Sequence, residues 1–120
     1  MIIRFTPFPP MPTYVASENY RVKLQKIDPL ALSDNPVAYW LRLKKILASM
    51  ERTEVIAETE DYIHAVCRSN GIGFKDDVEF RLCVEEGVIH VRSASRIGPF
   101  WDFGVNRARL EQIRRRLQTG

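Results

Sequence analysis

A change of hydrophobic period constrains this chain more than any other feature. From Thr53 onward apolar residues recur at every second position, while the segments before and after repeat at helical spacing. The period-two stretch divides into strands over 54–59, 61–68, 78–84 and 88–94. Successive strands with short links read as an antiparallel meander. Glu86-Gly87 is the turn signal between the last two strands. Pairing Val84 with Ile89 across it also pairs Leu82 with Val91 and Phe80 with Ser93. A one-residue slip would instead oppose Phe80 to Arg92. In this reading Phe80, Leu82, Ile89 and Val91 are buried together. The opposite face carries Glu79, Arg81, Cys83, His90 and Arg92, joined by Tyr62, His64 and Arg68.

The flanking helices have their own signals. Ser33-Asp34-Asn35-Pro36 announces the first, with Asn35 as N-cap and Pro36 in the first turn. Trp40, Leu43, Leu47 and Met50 form its stripe, which Val37 and Leu41 widen, giving a helix over about 36–50. Asn106 caps the last helix in the same reading, with Leu110, Ile113 and Leu117 as its stripe. Arg114, Arg115 and Arg116 sit in its final turns, where positive charge suits the dipole. The segment Tyr20–Leu24 alternates as a short strand would. The expected architecture is α+β: a sheet of about four to five strands against two helices in two layers.

Residues 1–14 hold Pro7, Pro9, Pro10 and Pro12 and read as an extended, proline-rich arm. It docks on its own chain or exchanges between two protomers, which would give a homodimer. Residues 15–120 then form a single domain, consistent with a chain of 120 residues. The net charge of +3 is spread over both halves, so no nucleic-acid partner is expected. Prolines interrupt the N-terminus where a signal peptide would need an apolar core, and no stretch approaches a membrane span. The expectation is a soluble, cytoplasmic protein. Cys67 and Cys83 form no CxxC pair and read as free thiols. A hairpin centred near Gly73 would set Cys67 opposite Glu79 and Cys83 opposite Ile63, too far apart to bridge.

The segments YIHA (62–65), GFKDDVEF (73–80), VIHVRSASRIG (88–98) and DFGVNRARLE (102–111) together resemble domain-of-unknown-function family 1499. The resemblance covers roughly residues 36–117. It implies occurrence in bacteria, where relatives often carry an N-terminal membrane segment or lipoprotein signal, and in plant chloroplasts. It implies no assigned activity. Two departures stand out. Tyr14-Val15-Ala16-Ser17 replaces an expected Cys-Val-Ser-Ser element, so any role of that thiol is absent here. Gly98 and Asp102 are separated by three residues, Pro99, Phe100 and Trp101, where two are more usual.

Candidate sites follow from the polar residues. His64 and His90 share a face, but Arg81 and Arg92 beside them would repel a cation, so no metal and no cofactor are expected. Ser93 and Ser95 with a histidine and Asp102 make a nucleophile set on paper, yet there is no GxSxG elbow. Asp76, Asp77 and Glu79 read as carboxylates paired with arginines such as Arg96 or Arg107. The group Arg92, Arg96, Arg107 and Arg109 is the most informative. Arg96, Asn106 and Arg107, at the last helix's N-terminus, could converge on a carboxylate or phosphate; the favoured alternative is an internal salt-bridge network from these arginines to Asp76, Asp77 or Asp102. The Phe100-Trp101-Phe103 cluster would serve as a lid, a partner contact or core. The expected function is non-catalytic binding of an anionic small molecule or an acidic peptide segment of a protein partner. Its candidate residues are Arg92, Arg96, Asn106, Arg107, His64 and His90. The alternative is an enzyme with a carboxylate–histidine site.

Overall fold

In the computed structural model, which describes residues 14–21, 23–68, 74–96 and 104–119, the period change at Thr53 is the boundary between helix and sheet. Strand β1 spans Tyr14–Ala16, β2 Leu30–Ala31, β3 Thr53–Glu58, β4 Tyr62–Arg68, β5 Lys75–Cys83 and β6 Val88–Ser95. Helix α1 spans Pro36–Ser49 and α2 Val105–Thr119. The sheet order is β1-β6-β5-β4-β3, all antiparallel, with β2 also on β6. The meander is therefore present, extended at its β6 side by two short strands.

Helix α1 begins as its sequence dictates. The Asn35 side chain accepts from the Ala38 N–H at 3.1 Å, and Pro36 occupies the first turn. Its buried stripe is Trp40, Leu43, Ile46 and Leu47. Val37 and Leu41 do not widen it, because both face solvent. The stripe packs with Leu110, Ile113 and Leu117 of α2 onto Ile63, Val78, Phe80, Ile89 and Val91 of the sheet. Both helices thus cover one face, and burying one large side chain such as Phe80 stabilises the fold by about 1.5–3 kcal/mol.

Several expectations are corrected. The alternation in Tyr20–Leu24 produces no strand among its described residues; a 3₁₀ turn runs from Lys23 to Gln25, and Leu24 is 88% exposed. The strands of this region, β1 and β2, flank that turn and were too short to announce themselves. The β5–β6 register is Phe80 with Val91 and Leu82 with Ile89, two residues from the expected pairing. Four residues, Val84 to Gly87, form the turn, with Gly87 at φ 70° and its N–H donating to the Val84 carbonyl at 3.0 Å. A shift of two leaves every face unchanged, so Phe80, Ile89 and Val91 are buried together with half-buried Leu82 packed against them. In the β4–β5 hairpin Cys67 lies opposite Asp76, and Ile63 opposite Phe80. Cys67 faces the helices, Cys83 the other side, and both thiols are free. Asn106 does not cap α2. The helix starts two residues earlier, at Val105 after Gly104 at φ 79°, and Asn106 turns inward. The proline-rich arm to residue 13 and the Phe100-Trp101-Phe103 cluster lie outside the described residues. No described helix is long and apolar enough to cross a membrane.

Candidate functional site

The sheet has two faces, and the polar residues divide between them. On the face away from the helices, charges come in matched sets. Glu79 is wholly buried there, and Arg92 is 3% exposed. Arg92 donates from Nη1 to Glu79 Oε1 at 3.0 Å, and the Tyr62 hydroxyl donates to Oε2 at 2.6 Å. The Arg92 guanidinium also lies 5.4 Å from the centre of the Tyr14 ring. Burial, and then the bond to Glu79, push the Tyr62 phenol well above its ordinary pKa.

A second set surrounds Asp77. His64 Nε2 lies 2.7 Å from Asp77 Oδ1, and Arg96 grips both oxygens at 2.9 and 3.0 Å. Partial burial works to raise the Asp77 pKa, but the bonds from Arg96 and His64 outweigh it and hold the carboxyl below its ordinary value. Arg81 forks Glu18 at 2.8 and 2.9 Å. His90 sits between Glu86, at 2.8 Å from Nε2, and Ser17, at 2.9 Å from Nδ1. The bond to His90 lowers the Glu86 pKa.

The other face holds a network that joins sheet to α2. Asn106 Oδ1 accepts from Ser93 Oγ at 2.6 Å and from Arg109 Nη1 at 2.9 Å. Arg109 Nη2 donates to Asp76 Oδ2 at 2.7 Å. Arg107 instead reaches the Leu24 carbonyl at 2.9 Å. Arg96, Asn106 and Arg107 therefore do not converge: the sheet separates Arg96 from Asn106, and Arg107 points elsewhere. His64 and His90 are likewise on the opposite face from Ser93, which removes the nucleophile set. Among the described residues no three His, Cys, Asp or Glu side chains are grouped to hold a metal ion.

Arginines do converge, at a place that sequence reading missed. A cleft of about 670 Å³ lies between the end of α1, the facing ends of β3 and β4, and α2. Arg52, Arg109, Arg115 and Arg116 line it, with Glu51 as the one carboxylate in the lining; Arg68 stands at its edge and, by the alternation of β4, leaves the sheet on the open face with Val66 and Arg96. Two bonds fix the α2 wall. Arg109 is tied to Asp76 at one end, and Arg116 Nη2 donates to Ser49 Oγ at 2.8 Å at the other. Seven residues of helix separate them, about 10 Å of rise, and Gln112 and Arg115 line the cleft between. On the facing wall, Arg52 turns the chain from α1 into β3 at φ 52°. A side chain at such a positive φ costs roughly 1 kcal/mol that glycine would avoid. Arg52 has an ion pair only with exposed Glu51, and among the described residues no carboxylate pairs with Arg68 or Arg115. A second concavity, of about 460 Å³ between α1, β2 and the end of α2, is lined by a single arginine, Arg42. That guanidinium is occupied by the Arg116 carbonyl at 3.1 Å.

The molecule is thus a two-layer α+β domain with one neutralised face and one cationic cleft. The family model described as protein of unknown function (DUF1499) matches residues 4–117, and the chain belongs to that family. No curated protein and no solved structure matches it.

Proposed function

We propose that the domain is a non-catalytic binding module that holds an anionic ligand in the cleft between α1 and α2. The observation that carries this reading is the imbalance of its walls, with Arg52, Arg109, Arg115 and Arg116 against one carboxylate, Glu51. On the open face Arg81, Arg92 and Arg96 are each matched by an acid, Glu18, Glu79 and Asp77. Guanidinium groups fork carboxylates and phosphates, and a cavity of this size lies within the usual range for small ligands, about 300–1,000 Å³. The strained backbone at Arg52 supports the same reading, since a turn alone would be better served by glycine. Titration calorimetry of the full chain with inorganic pyrophosphate tests it. Binding should weaken with added salt, and Arg52→Ala combined with Arg115→Ala should abolish it, while Arg96→Ala should leave it unchanged. Binding indifferent to the double substitution would refute the assignment.

A carboxylate–histidine enzyme is the second reading, and the His64–Asp77 contact of 2.7 Å supports it. It ranks lower because Arg96 holds both oxygens of the same carboxylate. Hydrolysis of activated esters that disappears in His64→Ala would raise it to first place.

A further inference from the structure

The two edges of the sheet differ. Strand β1 closes one edge with three residues, all buried. Strand β3 forms the other with six residues, of which only Thr53 is partly covered. The Arg68 N–H donates to the Arg52 carbonyl and the Thr59 N–H to the Tyr62 carbonyl, both at 2.8 Å, so Arg52 and Thr59 turn their backbone groups toward β4. Alternation then points those of Thr53, Val55 and Glu58 outward, on either side of the bulge at Ile56. No described strand pairs with them. Such an edge is a template for one more strand.

The side chains define the chemistry of that strand. Val55 and Ile56 are exposed apolar groups. Around them residues 51–61 carry Glu51, Glu54, Glu58, Glu60 and Asp61 against Arg52 alone, in a chain whose net charge is +3. Glu54 and Ile56 share the open face, where they line one small concavity, while Val55 and Glu58 face the helix side. Each face of the edge thus offers one acid and one apolar group. We infer that β3 takes up an extended segment of a partner protein as an added strand, with residues in the order basic, apolar, apolar, basic. This site is separate from the anion-binding cleft and does not rest on that reading.

Charge decides between this partner and a second copy of the chain. Two copies of β3 would bring the same acids against one another, which opposes pairing. Acids and a bulge are common guards of an open edge. This guard has one sign, so it turns away a copy or an acidic segment and admits a basic one. The neighbouring cations do not reverse that sign. Lys44 of α1 meets Glu58 at 3.3 Å, but in an exposed pair of little strength. Arg68 lies on β4, inward of β3. An added strand would stand two strand spacings from it, about 10 Å, which is the screening length near physiological salt.

Calorimetry of the full chain with the peptide acetyl-Thr-Lys-Val-Ile-Lys-Thr-amide tests the inference. The controls are the same peptide with glutamate in place of lysine, and the lysine peptide N-methylated at alternate residues. The lysine peptide should bind roughly tenfold more tightly than the glutamate one, because two cross-strand pairs change from attraction to repulsion. On its binding, hydrogen exchange should slow at the Thr53, Val55 and Glu58 amides. Glu54→Lys combined with Glu58→Lys should reverse the preference. Val55→Pro should abolish binding and keep the fold, because that N–H lies outside the β3–β4 ladder. If the N-methylated peptide binds as well as its parent, charge alone attracts it and the inference falls. It falls too if the glutamate peptide binds equally, or if the chain dimerises with those three amides protected, since the edge then belongs to a second copy. Failure of the lysine peptide to bind overturns it and leaves the pyrophosphate test of the cleft unaffected.

Discussion

Arg81, Arg92 and Arg96 on the open face each meet a carboxylate; Arg115 in the cleft meets none among the described residues. The residue type is the same, and the surroundings differ. On the open face a buried guanidinium without its acid would be costly, so pairing there is part of folding. In the cleft Arg115 is exposed, and its charge is left over for a ligand. The comparison separates arginines that hold the fold from arginines that it leaves available.

The largest effect is expected at the buried pair. Arg92→Ala strands the Glu79 carboxylate and should cost about 3–5 kcal/mol in urea denaturation. A loss within experimental error would break the comparison at its strongest point. Next comes Arg109→Ala, which lines the cleft yet serves Asp76, Asn106 and Ser93. Its loss should cost about 2 kcal/mol, which would place Arg109 with the structural arginines despite its position. The Asp77 cluster contributes a smaller, pH-dependent share. Its carboxyl is held below the ordinary 3.8, so its stabilisation is fully present above that value and lost as pH falls through the lower native pKa. Acid unfolding should therefore be shallower in Asp77→Asn over that window than in the parent chain. Smallest of all, Arg68→Ala and Arg115→Ala should each shift stability by no more than about 0.5 kcal/mol. Arg52→Gly should hold or raise stability, because it relieves the positive φ, while weakening anion binding. A large loss of stability in Arg68→Ala or Arg115→Ala would move these residues into the structural class.

The open face was more legible in the sequence than the cleft. Alternation assigned Tyr62, His64, Glu79, Arg81, His90 and Arg92 to one face, and they share it. The error of two residues in the β5–β6 register did no harm, because side chains repeat every second residue. The pairing of Asp77 with Arg96 was also among the readings of the sequence, as was the importance of Arg109. The expected convergence of Arg96, Asn106 and Arg107 failed for a geometric reason. Nearness in sequence across a strand end says little about nearness in space when adjacent side chains leave opposite faces of the sheet. Asn106 was read as a cap because its residue type favours one, but Gly104 ends the loop two residues earlier.

Local pattern alone decided the helices, the meander and the inward face of each strand, since capping and periodicity act over a few residues. The positive φ at Arg52, the four-residue turn before β6 and the added strands β1 and β2 depend on partners elsewhere in the chain. The cleft depends on them most. Arg52 and Arg115 come from a turn and a helix, and no spacing in the sequence links them. Only packing α2 beside the end of α1, fixed by Arg109 on Asp76 and Arg116 on Ser49, sets those charges around one space.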